Sequence, residues 1–182
     1  MKTIKQLIFG VFIFFGVNAI AQQTSKPIAA VLGIDSKGVI HDGAALSYMV
    51  RLEIEKTGVY ATMDKYDMAD LLTKNAIDPK TCFGKTCLVA AGKVLKADKI
   101  VTGSVERFGE KIVITLRVID VATEGVEKTN ATEYLNLQPE IQKMIEISVK
   151  RLLGITPDQN IVNLLIDYEQ PVTSPKMSLR LN

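Results

Sequence analysis

Histidine and cysteine are scarce in this chain, with one His and two Cys among 182 residues. Zinc would need two ligands beyond Cys82 and Cys87, and only His41 is on offer, so the sequence supplies no closed metal site. An excess of charge is missing as well. The 22 Lys and Arg face 20 Asp and Glu; the first 21 residues hold two of the lysines and no acid, which leaves 20 of each sign in the remaining 161. No cluster of Lys and Arg stands out. A neutral chain of this kind lacks the electrostatic footprint of a nucleic-acid binder, and the same balance argues against strong attachment to anionic membranes. Beyond the N-terminal segment there is no second long apolar run, hence no further membrane helix. Transmembrane β-hairpins leave too weak a signal per segment for that absence to bear on them.

Catalytic motifs are lacking too. Ser104 lies in Gly-Ser-Val without the G-x-S-x-G elbow of a hydrolase, and the glycines of residues 84–109 fit neither a P-loop nor a dinucleotide fingerprint. His41 stands beside Asp42, but adjacent residues rarely present their side chains to one another, and the start of a helix explains both. Asp64, Asp67 and Asp70 lack the ligand spacing and the glycine of an EF-hand, and acids near a helix N-terminus are favoured by its dipole. There is no internal repeat and no low-complexity tract. The reading is a non-enzyme with no catalytic, cofactor or metal residues.

What is present begins with the N-terminus. Lys2 and Lys5, an apolar core from Leu7 to Val17 and the A-x-A site Ala19-Ile20-Ala21 have the layout of a secretory signal peptide. Cleavage is expected after Ala21, giving a soluble exported chain from Gln22, and no cysteine sits there to carry a lipid. About 160 residues suffice for one domain with a proper core. Two cysteines in an exported protein favour a disulfide between Cys82 and Cys87, worth roughly 2 kcal/mol for so short a loop. Free thiols are the alternative; a redox pair typically has two intervening residues, not four.

The periodicity predicts a buried strand over residues 27–35, a helix capped by Asp42 and stopped by Gly58, and a second strand over 59–65. A shorter helix capped by Asp67 and another over 86–96 follow. Next come the strand 99–107, a hairpin at Gly109-Glu110 of type II′, and a cleanly alternating strand with Ile112, Ile114, Leu116 and Val118 on one face. Residues 126–135 make a more polar strand. Residues 138–153 are an amphipathic helix, Thr156 opens a further short one, and the chain from Gln170 reads as a loose tail. The expected fold is α/β (α+β): a mixed sheet with a C-terminal antiparallel meander, packed on one side by helices, in a single domain of residues 22–154 with an extension at 155–182.

One group of residues carries a family resemblance. The first strand with Ala29-Ala30-Val31-Leu32-Gly33, Met63-Asp64-Lys65, Cys82 and Cys87, Ala97-Asp98, Gly103-Ser104-Val105 and Val118-Ile119-Asp120-Val121-Ala122-Thr123 stand in the order and spacing of TolB amino-terminal-like and CsgG-like domains. The chain resembles these Gram-negative envelope modules over residues 27–153. It departs from them at Glu124, inserted between Thr123 and Gly125, and at Gly33, where a polar or acidic residue is usual.

The resemblance implies a periplasmic or outer-membrane-associated module that assembles with other envelope proteins, itself a possible homo-oligomer, with membrane association only through partners and no small-molecule substrate. The alternative is a CsgG-like subunit of an outer-membrane secretion channel, although the long insertions that build membrane hairpins are not evident. The expected contact surface is the polar strand with Glu127, Lys128, Thr129, Asn130 and Glu133, read as an edge able to accept another strand, or else the Pro-containing tail. The same charges equally suit an edge built to block pairing.

Overall fold

The computed structural model describes residues 25–166. The signal-peptide reading of residues 1–21 and the tail from Gln170 lie outside that range. In chain order the elements are β1 (Ile28–Lys37), α1 (Gly43–Thr57), β2 (Ala61–Thr62), α2 (Lys65–Lys74), α3 (Lys85–Leu95), β3 (Lys99–Phe108), β4 (Lys111–Asp120), β5 (Gly125–Leu135), a 3₁₀ turn (Gln138–Glu140), α4 (Ile141–Leu152) and α5 (Gln159–Leu165). They form one sheet in the order β2-β1-β3-β4-β5. β1 runs parallel to both neighbours, and β3, β4 and β5 form an antiparallel meander.

Helices cover both faces of this sheet, not one as the element order suggests. Along one face α1, α4 and α5 bury Val31, Val101, Val105, Ile112, Ile114, Leu116 and Val118. On the other, α2 and α3 bury Ala30, Leu32, Ile100 and Ile119. The cause is topological. The crossover from β1 to β2 moves one way along the sheet and that from β2 to β3 moves back past β1. Parallel crossovers share one hand, so the two sets of helices fall on opposite faces. β1 is therefore buried on both sides, which is why its sequence is a continuous apolar run without alternation.

Local chemistry explains most boundaries. The Asp42 carboxylate accepts the Ala45 N–H at 2.7 Å and Gly58, at φ 66°, closes α1. α2 starts earlier than expected: Asp64, not Asp67, is its cap, accepting the Tyr66 N–H at 2.7 Å. That early start also shortens the second strand to Ala61–Thr62. Pro139 lies in the 3₁₀ turn, where its missing N–H costs nothing, so the predicted helix over 138–153 begins in earnest at Ile141. Asp158 rather than Thr156 caps α5, accepting the Asn160 N–H at 2.8 Å. The β3–β4 connection is a two-residue hairpin with Gly109 first, at φ 59°.

Candidate functional site

The carboxyl end of β1 is where the two crossovers part, and a cleft of about 800 Å³ opens there between α1 and α2. In open α/β sheets such switch points are the usual ligand crevices. β2 pairs with β1 only at Ile28 and Ala29, so further along β1 has no strand on that flank among the described residues. Val31, Leu32 and Ile34 line the cleft instead, together with Met68 and Leu72 of α2 and Phe83.

Five devices hold the cleft. At a bulge between Val31 and Ile34, Gly33 permits the loop 79–83 to cross the strand, because a Cβ there would overlap the Pro79 carbonyl oxygen. The Thr102 hydroxyl donates to the Gly33 carbonyl at 2.9 Å. From α1, the Ser47 hydroxyl accepts the Ile34 N–H at 3.0 Å and donates to the Gly43 carbonyl at 2.7 Å, which ties strand to helix. Cys82 and Cys87 are joined in a disulfide with their Cα atoms 5.5 Å apart, Cys82 being buried. Arg117 of β4 donates to the Phe83 carbonyl and steadies the same loop.

The rim is aromatic and charged, with Arg51, Lys65 and Lys80 on one side of the balance and Asp35 and Asp42 on the other. Tyr48 is 47% exposed, with the Arg51 guanidinium 5.3 Å and the Lys65 ammonium 5.5 Å from its ring centre; Lys65 also lies 4.8 Å over Tyr66. Arg51 pairs with Glu55 at 3.2 Å, yet its Nε is buried without a partner among the described residues. Lys65 and Lys80 form no salt bridge with a carboxylate among the described residues. Asp42 spends its carboxylate on the helix cap, and the buried His41 Nδ1 has no hydrogen-bond partner among the described residues, so the two form no dyad. Asp64 caps α2 and Asp70 pairs with Lys74 at 2.6 Å.

β5 is an edge of the sheet, and its register tells which groups are free. In the two-residue hairpin Phe108 and Lys111 are a bonded pair, so Ile112, Ile114, Leu116 and Val118 turn their backbone groups toward β5. They meet Tyr134, Thr132, Asn130 and Lys128. Thr129, Ala131 and Glu133 therefore direct their backbone N–H and C=O groups away from the sheet. Within the same strand, the Asn130 amide oxygen accepts the Thr132 hydroxyl at 3.0 Å. Glu127 has a structural partner: Lys99, 2.5 Å away, which also bonds Asp120. Burial lowers the Lys99 pKa, but its hydrogen bonds to Asp120 and Glu127 prevail and raise it. Lys99, and then the Thr123 N–H and hydroxyl, hold Asp120 far below the usual carboxylate range.

The sequence reading singled out the disulfide and the edge strand and missed the cleft. The signal for it was faint: Tyr48 and Arg51, i and i+3 on the polar side of α1, and Ile40, 69% exposed in the loop before it.

No family model matches the chain, and no curated protein does either. Among solved structures, the LpoB C-terminal domain from Salmonella enterica superimposes with TM-score 0.53 at 8% identity, over 62% of this chain and 85% of that one. The LpoB C-terminal domain from Escherichia coli gives 0.52 at 10% identity over 60% and 83%. Lipoprotein GNA1162 from Neisseria meningitidis gives 0.53 at 9% over 70% and 96%. At such identities the likeness is one of fold alone. The chain has an α/β fold shared with Gram-negative envelope proteins.

Proposed function

We propose that this protein is an exported, non-enzymatic module of the Gram-negative envelope, acting in the periplasm or at the outer membrane by binding other envelope proteins. The observation that carries the reading is the fold shared with the LpoB C-terminal domain and with lipoprotein GNA1162. The signal-like N-terminus and the kinship of the sequence pattern with TolB amino-terminal-like domains point the same way. The outward-facing backbone of Thr129, Ala131 and Glu133 on β5 is one surface through which such contact is made, by strand addition.

Two measurements test this. Intact mass and N-terminal sequencing of protein from the envelope fraction should find Gln22 first. Fractionation with size-exclusion mass measurement should find a monomer or small oligomer that pulls down envelope partners. A large detergent-resistant ring in the outer membrane would replace the reading with that of a channel subunit. For the edge, Thr129→Pro or Ala131→Pro removes an outward donor and leaves the ladder to β4 intact. The variant should fold and lose its partner; unchanged capture means that the edge is not the surface.

A further inference from the structure

Interfaces concentrate their energy in partly enclosed aromatic and arginine anchors, within a ring of contacts that exclude water. The cleft beside β1 has that composition, with Tyr48 and Ile40 exposed at its mouth and Arg51 beside Tyr48. Its charge is mixed but leans positive, with Arg51, Lys65 and Lys80 against Asp35 and Asp42. Lys65 and Lys80 line it without a salt-bridge partner among the described residues, while Asp42 is consumed in capping α1. Such cations are cheap while they face water and become costly when a partner covers them, unless the partner brings the opposite charge. Apolar walls beside two lysines without a salt bridge thus call for a segment that places apolar side chains between α1 and α2, carries carboxylates to meet Lys65 and Lys80, and keeps them clear of Asp35.

The mode of contact follows from Ser47. Its hydroxyl already takes the Ile34 N–H, the donor that a strand laid along this flank of β1 would need. Recognition here therefore runs through side chains, unlike the edge of β5, where the outward backbone meets no strand among the described residues.

We propose that this cleft is a docking site for an acidic, apolar peptide segment of a partner protein, distinct from the β5 edge. The proposal rests on the reading of this protein as a contact module and names a site for it.

The test uses the exported full chain and two sets of fluorescein-labelled ten-residue peptides, alike in Leu and Phe content, one carrying two carboxylates and the other two lysines. Binding is read by fluorescence anisotropy. The acidic set should bind on the order of tenfold tighter or more. The double variant Lys65→Glu, Lys80→Glu should reverse that preference, and Tyr48→Ala should weaken the acidic set by about tenfold. Both variants alter surface positions, and an unchanged thermal melt confirms that they fold. Equal binding of the two sets, no binding of either, or a preference that survives charge reversal overturns the proposal. So does binding seen only after residues 167–182 are removed, which would make this chain's own terminus the occupant. Binding of phosphatidylglycerol vesicles in place of peptides also overturns it. Pull-down separates the two levels. Envelope partners retained by the charge-reversed variant refute the cleft and leave the contact reading standing, whereas a parent chain that captures none refutes that reading itself.

Discussion

On one face of the sheet, α1, α4 and α5 lie over β1, β3, β4 and β5 and close a continuous apolar layer that includes Leu116, Val118 and Tyr134. On the other, α2, α3 and the disulfide loop cover Ala30, Leu32, Ile100 and Ile119, and the cover stops there. Beyond it Val113, Thr115 and Arg117 are only half-buried, and Thr129, Ala131 and Glu133 are exposed. The first face is held chiefly by burial, with a buried Tyr134–Ser148 hydrogen bond inside it. The second is held by devices: a bulge at Gly33, a disulfide, an arginine that supports a carbonyl. The cleft lies on the seam between them, where α1 of the first face meets α2 and the loop of the second. A fold with one finished layer can leave the other short and adjustable, and that is where contact surfaces are available.

The contrast can be broken most severely from the finished face. Leu116 is wholly buried under α4, and Leu116→Ala should cost about 3 kcal/mol, read from the midpoint of urea unfolding at unchanged slope. A smaller loss is expected from the covered half of the second face. Replacing Cys82 and Cys87 by Ser, or reducing the disulfide, should cost about 2 kcal/mol. Hydrogen exchange should then quicken in α2, α3 and the loop 79–84 while α4 stays protected. Uniform loss of protection would mean that the faces are not separately held. Alkylation of protein taken fresh from the envelope, without reductant, should label neither cysteine.

Tyr134 sharpens the comparison from within the finished face. Its hydroxyl shares a buried 2.7 Å hydrogen bond with Ser148, and burial raises its pKa. Tyr134→Phe should cost about 1 kcal/mol, since Ser148 is left without its partner. The smallest effect is a pH dependence at the far end of the sheet. Asp120 is held below its ordinary value of 3.8, by Lys99 first and then by Thr123. Its contribution is therefore complete above 3.8 and drains away as pH falls below it. Asp120→Asn should flatten the acid limb of a stability profile relative to the parent protein; an unchanged limb would show that Lys99 and Glu127 suffice without it.

The finished face is also the part that the sequence displays. Ile112, Ile114, Leu116 and Val118 alternate, and Ile141, Ile145, Val149 and Leu152 repeat at helical spacing, because each element there buries a single face against water on the other side. The second face hides its signal. β1 is apolar on both sides, so Ala30 and Leu32 cannot be told from Ala29 and Val31 by period, and a one-sided sheet looked sufficient. Helix starts moved where two acids competed for the cap: Asp64 lies at the turn and Asp67 inside the first coil, and spacing alone does not choose between them. Of the candidate surfaces, the edge strand was legible from its polarity. The cleft was not, because its parts are drawn from α1, α2, β1 and the loop at 79–83, and only the switch in crossover direction brings them together.

The central claim, that this protein works by contact and that the seam is a contact surface alongside the β5 edge, is tested most directly by photo-crosslinking in the living envelope. A photoreactive phenylalanine is placed in turn at Tyr48 in the cleft, at Thr129 on the β5 edge, and at the exposed Lys74 of α2 as control. The expected result is a discrete protein adduct at position 48, lost when Lys65→Glu and Lys80→Glu are added. Adducts at position 129 alone, at position 74 as readily as at 48, or at none of the three would contradict the account.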